Sequence, residues 1–234
     1  MIKAYLTISI LLGIILLTQC AKEDGEVLES GLEHFPMEEG FYKIYQVDSI
    51  AIEAALEVND SISFQLKEIH DSLYIDASGN LSMRIVRQKR SSEDDPWEVS
   101  DIWTAHRNGT SAQRVEENNR IVVLAFPPRD NLTWDINAFN IGEEWAASYD
   151  NLFGSTEVNE ETYQNTVTVR FEDNINLVER ESGYQIFAHD VGLVFSSVKI
   201  LDLNGVVELT SEPSWEQITL GREITYKLLE YGLE

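Results

Sequence analysis

A single cysteine, Cys20, stands in 234 residues, so no internal disulfide can staple the fold and stability must come from burial. Positive charge is also scarce. There are 17 Lys and Arg against 41 Asp and Glu, a net charge of −24. Nucleic-acid binding needs a basic patch to neutralise phosphate, and this balance argues against it. It argues equally against electrostatic adhesion to anionic lipid. The surplus of acid implies a soluble, well-solvated exterior, on which diffuse cation binding would not be a site. Catalytic signatures are missing too. No serine sits in a G-x-S-x-G turn, and neither an H-E-x-x-H helix nor a G-x-x-x-x-G-K-[ST] loop occurs. The four histidines, His34, His70, His106 and His189, are far apart without ligand-like spacing. Each is expected at the surface or in a hairpin. With so many acids, paired carboxylates arise by chance and identify nothing. No motif names a reaction or a ligand.

What is present begins at the N-terminus. Lys3 precedes an apolar run of 14 residues, Ala4–Leu17, broken only by Thr7 and Ser9. At roughly 1.5 Å per residue this is too short for a bilayer core of about 30 Å. A core helix would carry a polar face, and this run has none. A charged start, a short apolar centre and a small-residue exit describe a secretory signal peptide over residues 1–19. Removing it takes away Lys3 and no acid, leaving a net charge near −25.

The stretch Leu17-Thr18-Gln19-Cys20 resembles a bacterial lipobox, with Gln19 where Gly or Ala is usual. The resemblance implies cleavage before Cys20, diacylglycerol on its thiol and an acylated amine, with fatty acyl chains of the palmitate kind. A free thiol in an ordinarily exported chain is the alternative. Each buried methylene contributes about 0.8 kcal/mol, so two or three chains hold a protein stably. Cys20-Ala21-Lys22-Glu23-Asp24 resembles the surface-export signal of Bacteroidetes lipoproteins, which implies the outer membrane, lipid-anchored and exposed at the cell surface. An ordinary charged tether is the alternative there. Residues 20–34 read as a lipidated acidic tether and residues 35–234 as the folded domain.

In that domain the apolar pattern has period two. Ile62, Phe64 and Leu66 alternate with polar residues, as do Leu81, Met83 and Ile85; Val167, Val169 and Phe171; and Ile224, Tyr226 and Leu228. Alternation marks half-buried strands. Ile121–Phe126 is continuously apolar, as in a strand covered on both faces. Ser78-Gly79-Asn80, Asn108-Gly109 and Asn204-Gly205 supply turn residues between strands, and Pro127-Pro128 ends the apolar run. Ala51–Val58 is the one helix-compatible stretch, and residues 150–165 read as a polar connection. The expected fold is all-β: a single domain of roughly ten or more antiparallel strands in a curled sheet, a half-barrel or a sandwich.

Several positions together resemble an uncharacterised lipoprotein family of Bacteroidetes. They are the start Phe35-Pro36-Met37-Glu38-Glu39-Gly40 with Val47-Asp48-Ser49-Ile50, the central Trp97, Trp103, Phe126-Pro127 and Trp134, and the hairpin Phe187-Ala188-His189-Asp190-Val191-Gly192-Leu193-Val194. Phe41-Tyr42 stands where a Trp is common, and His189-Asp190 where a Gly is usual. The resemblance implies an exported lipoprotein with a β fold and brings no activity to carry over.

Other candidates weigh little. Glu93-Asp94-Asp95 lacks the alternation and closing Glu of a calcium loop and reads as an acidic hairpin loop. Asp202-Leu203-Asn204-Gly205 with Glu208 reads as a plain hairpin. Trp97, Trp103, Trp134, Trp145 and Trp215 could stack on sugars, but a large β core needs aromatics anyway. Asp48-Ser49-Ile50, Asp60-Ser61-Ile62 and Asp71-Ser72-Leu73 resemble the O-glycosylation acceptor motif of exported Bacteroidetes proteins, which would modify Ser49, Ser61 and Ser72. No catalytic residue, cofactor or metal is expected. The leading expectation is a non-catalytic envelope lipoprotein with a binding or structural role. It would join the membrane through Cys20 and meet an unknown protein or glycan. The alternatives are a carrier of a hydrophobic ligand or a glycan-binding module. A cavity lined by residues such as Ile121–Phe126, rather than a filled core, would favour the carrier.

Overall fold

The computed structural model describes residues 30–205, 208–209 and 211–234. Cys20, the signal peptide and most of the tether therefore lie outside the described residues. The described chain is almost entirely strand. β1 (Phe41–Glu53), β2 (Val58–Ile75), β3 (Leu81–Arg90), β4 (Glu98–Arg107), β5 (Ser111–Glu116) and β6 (Asn119–Ala125) form the first half. β7 (Thr133–Asp135), β8 (Ala146–Val158), β9 (Glu161–Phe171), β10 (Asn174–Ile175), β11 (Glu179–Ala188), β12 (Gly192–Leu203) and β13 (Ile218–Leu233) form the second.

All belong to one antiparallel sheet in the order β6-β5-β4-β3-β2-β1-β13-β12-β11-β9-β8-β7, with β10 beside β11. Nearly every strand pairs with its neighbour in sequence, and the long β1–β13 pairing joins the two halves. Strand twist accumulates over so many strands and curls the sheet until its ends meet. At that seam the Val122 amide donates to the Ile136 carbonyl at 2.9 Å, and the Trp134 indole N–H donates to the Val122 carbonyl at 3.1 Å. The result is one nearly closed barrel-like sheet, which settles the choice among half-barrel, barrel and sandwich.

Alternation sets which side chains point inward. Phe41, Lys43, Tyr45, Val47 and Ser49 of β1 are buried, and the residues between them face out. Leu66 faces Tyr45 across the β1–β2 pair. Val167, Val169, Val194 and Leu228 complete a dense core with them, each large apolar side chain contributing about 1.5–3 kcal/mol by burial. This core fills the end of the barrel where β1 begins. The outer face is polar, as in the Gln46–Ser63–Asp48 hydrogen-bond chain.

A short plug closes the same end. Residues Leu32–His34 form a 3-10 turn with His34 fully buried. Arg107 Nη1 donates to the Leu32 carbonyl at 2.6 Å and to the Phe35 carbonyl at 2.8 Å. Gly31 has φ +71, and a Cβ there would lie 2.3 Å from Pro128 Cδ, so only glycine seats the plug. Among the described residues packing thus begins at Gly31, four residues before Phe35 where aromatics become dense.

Several expectations need correction. Ala51–Val58 is not helical: its first residues end β1, Ala54–Leu56 is a 3-10 turn, and Val58 opens β2. Residues 150–165 are not a loop but most of the β8–β9 hairpin. Its turn at Asn159-Glu160 has φ of +50 and +67, the pair of positive angles a tight hairpin uses. Only Val158 is buried in the outer half of β8, so its sequence is polar without being a connection. Asn204-Gly205 does not make a tight hairpin, because the β12–β13 connection runs on through a 3-10 turn at Trp215–Gln217. Asn108-Gly109 does make the β4–β5 turn, but through the Asn108 side chain. Its Oδ1 accepts from the Thr110 and Ser111 amides, an Asx turn without positive φ. His34, His70 and His106 are buried rather than at the surface; only His189 lies in a hairpin turn.

Candidate functional site

The opposite end of the barrel is not filled. A cavity of about 710 Å³ lies between the β2–β6 wall and the β11–β13 wall. Phe64, Ile121, Val123, Leu193, Val198 and Ile224 supply apolar lining. Ile62, which is 55% exposed, and the exposed Ile141 and Ile200 also line it, so the cavity opens to solvent at this rim. A smaller void of about 20 Å³ continues toward the plug, bounded by Lys43, Glu68, His70 and Phe35.

Across the floor runs a ladder of charge. Lys43 on β1 pairs in register with Glu68 on β2, Glu68 with Arg87 on β3, and Arg87 with Asp101 on β4. All four inward positions follow the strand alternation that places Leu66 and Ile85 in the core. Lys43, Glu68 and Arg87 are only 7%, 3% and 4% exposed. Arg114 on β5 adds a third cation and is held by Glu116, whose Oε1 accepts from Nε at 2.8 Å.

Burial sets the electrostatics. It pushes Lys43 down to about 8, with Glu68 opposing the shift and Arg114 adding to it. Burial alone would raise Glu68, but Arg114, Arg87 and Lys43 outweigh it and hold the carboxyl below its ordinary value. Burial also drives His70 to about 3, helped by Lys43, so its imidazole is neutral. Burial opposes the charge on Arg114, yet Glu116 and Glu68 raise it overall. At neutral pH Lys43, Arg87 and Arg114 therefore stand around the buried Glu68 carboxylate, with the less buried Asp101 and Glu116 beside Arg87 and Arg114.

Hydrogen bonding on this floor is incomplete. The Arg87 Nε lies 3.2 Å from Glu68 Oε1, yet that N–H is misaligned and has no hydrogen-bond acceptor. The remaining Arg87 contacts are long: 3.8 Å to Asp101 and 3.5 Å to the Tyr226 hydroxyl. Trp103, 7% exposed, lies between the two arginines, with the Arg87 guanidinium 3.5 Å and the Arg114 guanidinium 4.8 Å from its ring centre. Its indole N–H is buried without a partner. Buried polar groups ordinarily find partners, and an unmet donor costs about 1–3 kcal/mol. Chemically, the arrangement can accept an oxygen-rich group at the floor and an apolar group along the wall.

The sites anticipated from sequence fall elsewhere. Cys20 lies outside the described residues. Ser49 is buried and lines the cavity, which leaves Ser61, exposed, and Ser72, half-buried, as the reachable hydroxyls. Glu93, Asp94 and Asp95 sit exposed in the β3–β4 loop. Among the described residues no group of three or more His, Cys, Asp or Glu is placed to hold a metal. Trp97, Trp103, Trp134 and Trp145 are half-buried or buried. The Ile121–Phe126 run does reach the cavity, through Ile121, Val122 and Val123.

No protein-family model matches the chain, and no curated protein matches it. Two solved structures share part of its backbone course. One, from Parabacteroides distasonis and described provisionally as a lipoprotein, is 12% identical with a TM-score of 0.44, over 85% of this chain and 98% of its own. Another, from Bacteroides fragilis and described provisionally as an exported protein with a YmcC-like fold, is 10% identical with a TM-score of 0.42, over 84% of this chain and 98% of its own. At scores this low, neither likeness decides anything about this chain.

Proposed function

We propose that this is a non-catalytic envelope protein, anchored through acyl chains on Cys20 at the outer membrane, whose barrel binds an apolar or amphipathic small molecule. The observation that carries the reading is the cavity of about 710 Å³ at one end of the barrel. It falls within the roughly 300–1,000 Å³ typical of small-molecule sites. A purely structural role would be served by a filled interior, and this cavity leaves part of the interior unfilled. Two ionisable groups of the floor, Glu68 and His70, are poorly set for acid–base work, and Lys43, at about 8, is the exception. Glu68 stays ionised and His70 stays neutral, whereas a general acid or base is most effective with its pKa near the working pH.

Mass spectrometry of protein purified from its native membranes tests this, beside a Cys20→Ser variant. Under denaturing conditions the wild type should weigh residues 20–234 plus acyl groups, and the variant should lack them. Under native conditions both should carry, or take up, one non-covalent amphiphile per chain. An unmodified Cys20 would overturn the anchor. A chain that retains and takes up no small molecule would overturn the binding role.

A further inference from the structure

We propose that Arg87, Trp103 and Arg114, with Lys43 beneath them, hold the anionic head group of an amphiphile whose apolar chain lies along Phe64, Ile121, Val198 and Ile224. The head group is a carboxylate or a phosphate ester, which offer the same chemistry: a compact anion with several acceptor oxygens. The assignment rests on the binding role proposed above and narrows it to one ligand class.

Three observations converge on it. First, two unmet groups in the cavity wall are donors. The Arg87 Nε–H and the Trp103 Nε1–H are both buried in the wall of one cavity and lack acceptors. A cationic head group would add donors and leave them unmet, and a hydrocarbon would bury them further. Second, the local charge is not acidic like the rest of the chain. The whole protein carries −24, yet along the cavity Arg87, Lys89, Arg114 and Arg222 match Glu68, Asp101, Glu116 and Glu117 one for one. Lys43 has no carboxylate at ion-pair distance among the described residues, and burial weakens its charge. An added anion would compensate it. Third, the guanidinium of Arg87 lies against the Trp103 ring at 3.5 Å. That contact restrains the guanidinium, whose planar fork can meet two oxygens of one head group. The mixed lining then matches an amphiphile end to end, with donors on the floor, apolar wall above and an open rim at Ile62, Ile141 and Ile200.

Calorimetric titration of the mature chain, residues 20–234 with Cys20→Ser and therefore without acyl groups, tests the assignment. The probes are dodecanoate, dodecyl phosphate, dodecanol and dodecyltrimethylammonium, each below its micelle concentration. At least one anion should bind about tenfold or more tighter than dodecanol, and the cation should bind weakest. The tighter of the two anions identifies a carboxylate or a phosphate source. Trp103→Phe should weaken the anion about tenfold and leave dodecanol unchanged, with thermal unfolding confirming the fold. The paired Glu68→Gln/Arg87→Met variant, which removes one charge of each sign, should abolish the preference. Equal binding of anion and alcohol by the wild type would overturn the head-group assignment and leave the binding role standing. A preference that survives both variants would overturn it as well. Binding of none of the four would overturn both, the cavity then holding water only.

Discussion

Replacing Glu68 by Gln is the sharpest probe of the charged floor. The side chain keeps its shape and loses its charge, which leaves Lys43 without a nearby counter-charge and Arg87 with only Asp101 at 3.8 Å. Two unit charges 3.2 Å apart, in an effective dielectric of about 20, attract by about 5 kcal/mol before desolvation is counted. Breaking one partner of a buried pair costs about 3–5 kcal/mol in practice. For a domain of this size each kcal/mol moves Tm by about 2–4 °C, so Glu68→Gln should lower it by roughly 6–20 °C. The loss should depend on pH. Lys43 has a folded pKa of about 8, below its ordinary 10.5. Below pH 8 it is charged and attracted by Glu68; above pH 8 it is neutral and that attraction is gone. The loss should therefore be larger at pH 6.5 than at pH 9. Thermal unfolding followed by circular dichroism at both values measures it. Adding Arg87→Met should restore much of the stability, because the guanidinium no longer lacks its counter-charge. A fall of less than about 2 °C, which is at most about 1 kcal/mol on the same scale, would show the floor charges to be hydrated, and the reasoning on unmet donors would fail with it.

Acid stability should respond to His70. Its folded pKa of about 3 lies below the ordinary 6.5, so the unfolded chain binds the extra proton between these values. Wild-type stability should fall as pH drops from 6.5 toward 3, and His70→Phe should flatten that limb of a chemical-denaturation series. The plug should respond to Gly31→Ala. A positive φ costs about 1–3 kcal/mol in a residue with a Cβ, and the contact with Pro128 adds to it. A loss below about 1 kcal/mol would mean the plug is loosely seated. The seam should respond to Trp134→Phe, which removes the indole donor to the Val122 carbonyl. About 1 kcal/mol and faster amide exchange at Val122 are expected, and unchanged exchange would argue that the seam is held elsewhere.

Much of the barrel is legible in alternation. The phase set by Ile62, Phe64 and Leu66 continues through Glu68 and His70, and that of Met83 and Ile85 continues through Arg87. The same rule that finds the strands thus places the charges inside. What hides them is chemistry rather than spacing: a lone Glu or Arg on an apolar face is read as the end of a strand. Only pairing register, which sequence does not carry, shows that Lys43, Glu68, Arg87 and Asp101 stand side by side. The cavity is illegible for a related reason. The period-two pattern of Ile224 and Tyr226 is the same whether the space they face is filled or empty. Polar strands mislead in the opposite direction. Residues 150–158 carry Asp, Asn, Gly, Ser, Thr and Glu, yet β9 pairs with them along most of their length, and pairing outweighs the weak strand propensity of several of these residues.

The most direct test of a ligand-holding interior is to fill it. Val198 lines the cavity opposite the charged floor, and Val198→Trp would occupy the apolar half without touching the ladder. Both mature chains, residues 20–234 each carrying Cys20→Ser, would be titrated with 1-N-phenylnaphthylamine, a neutral probe that fluoresces in apolar surroundings. The account predicts saturable one-to-one binding by the unfilled chain, and its loss in the filled chain with Tm unchanged or raised. Absence of saturable binding, or binding that Val198→Trp leaves unchanged, would contradict it.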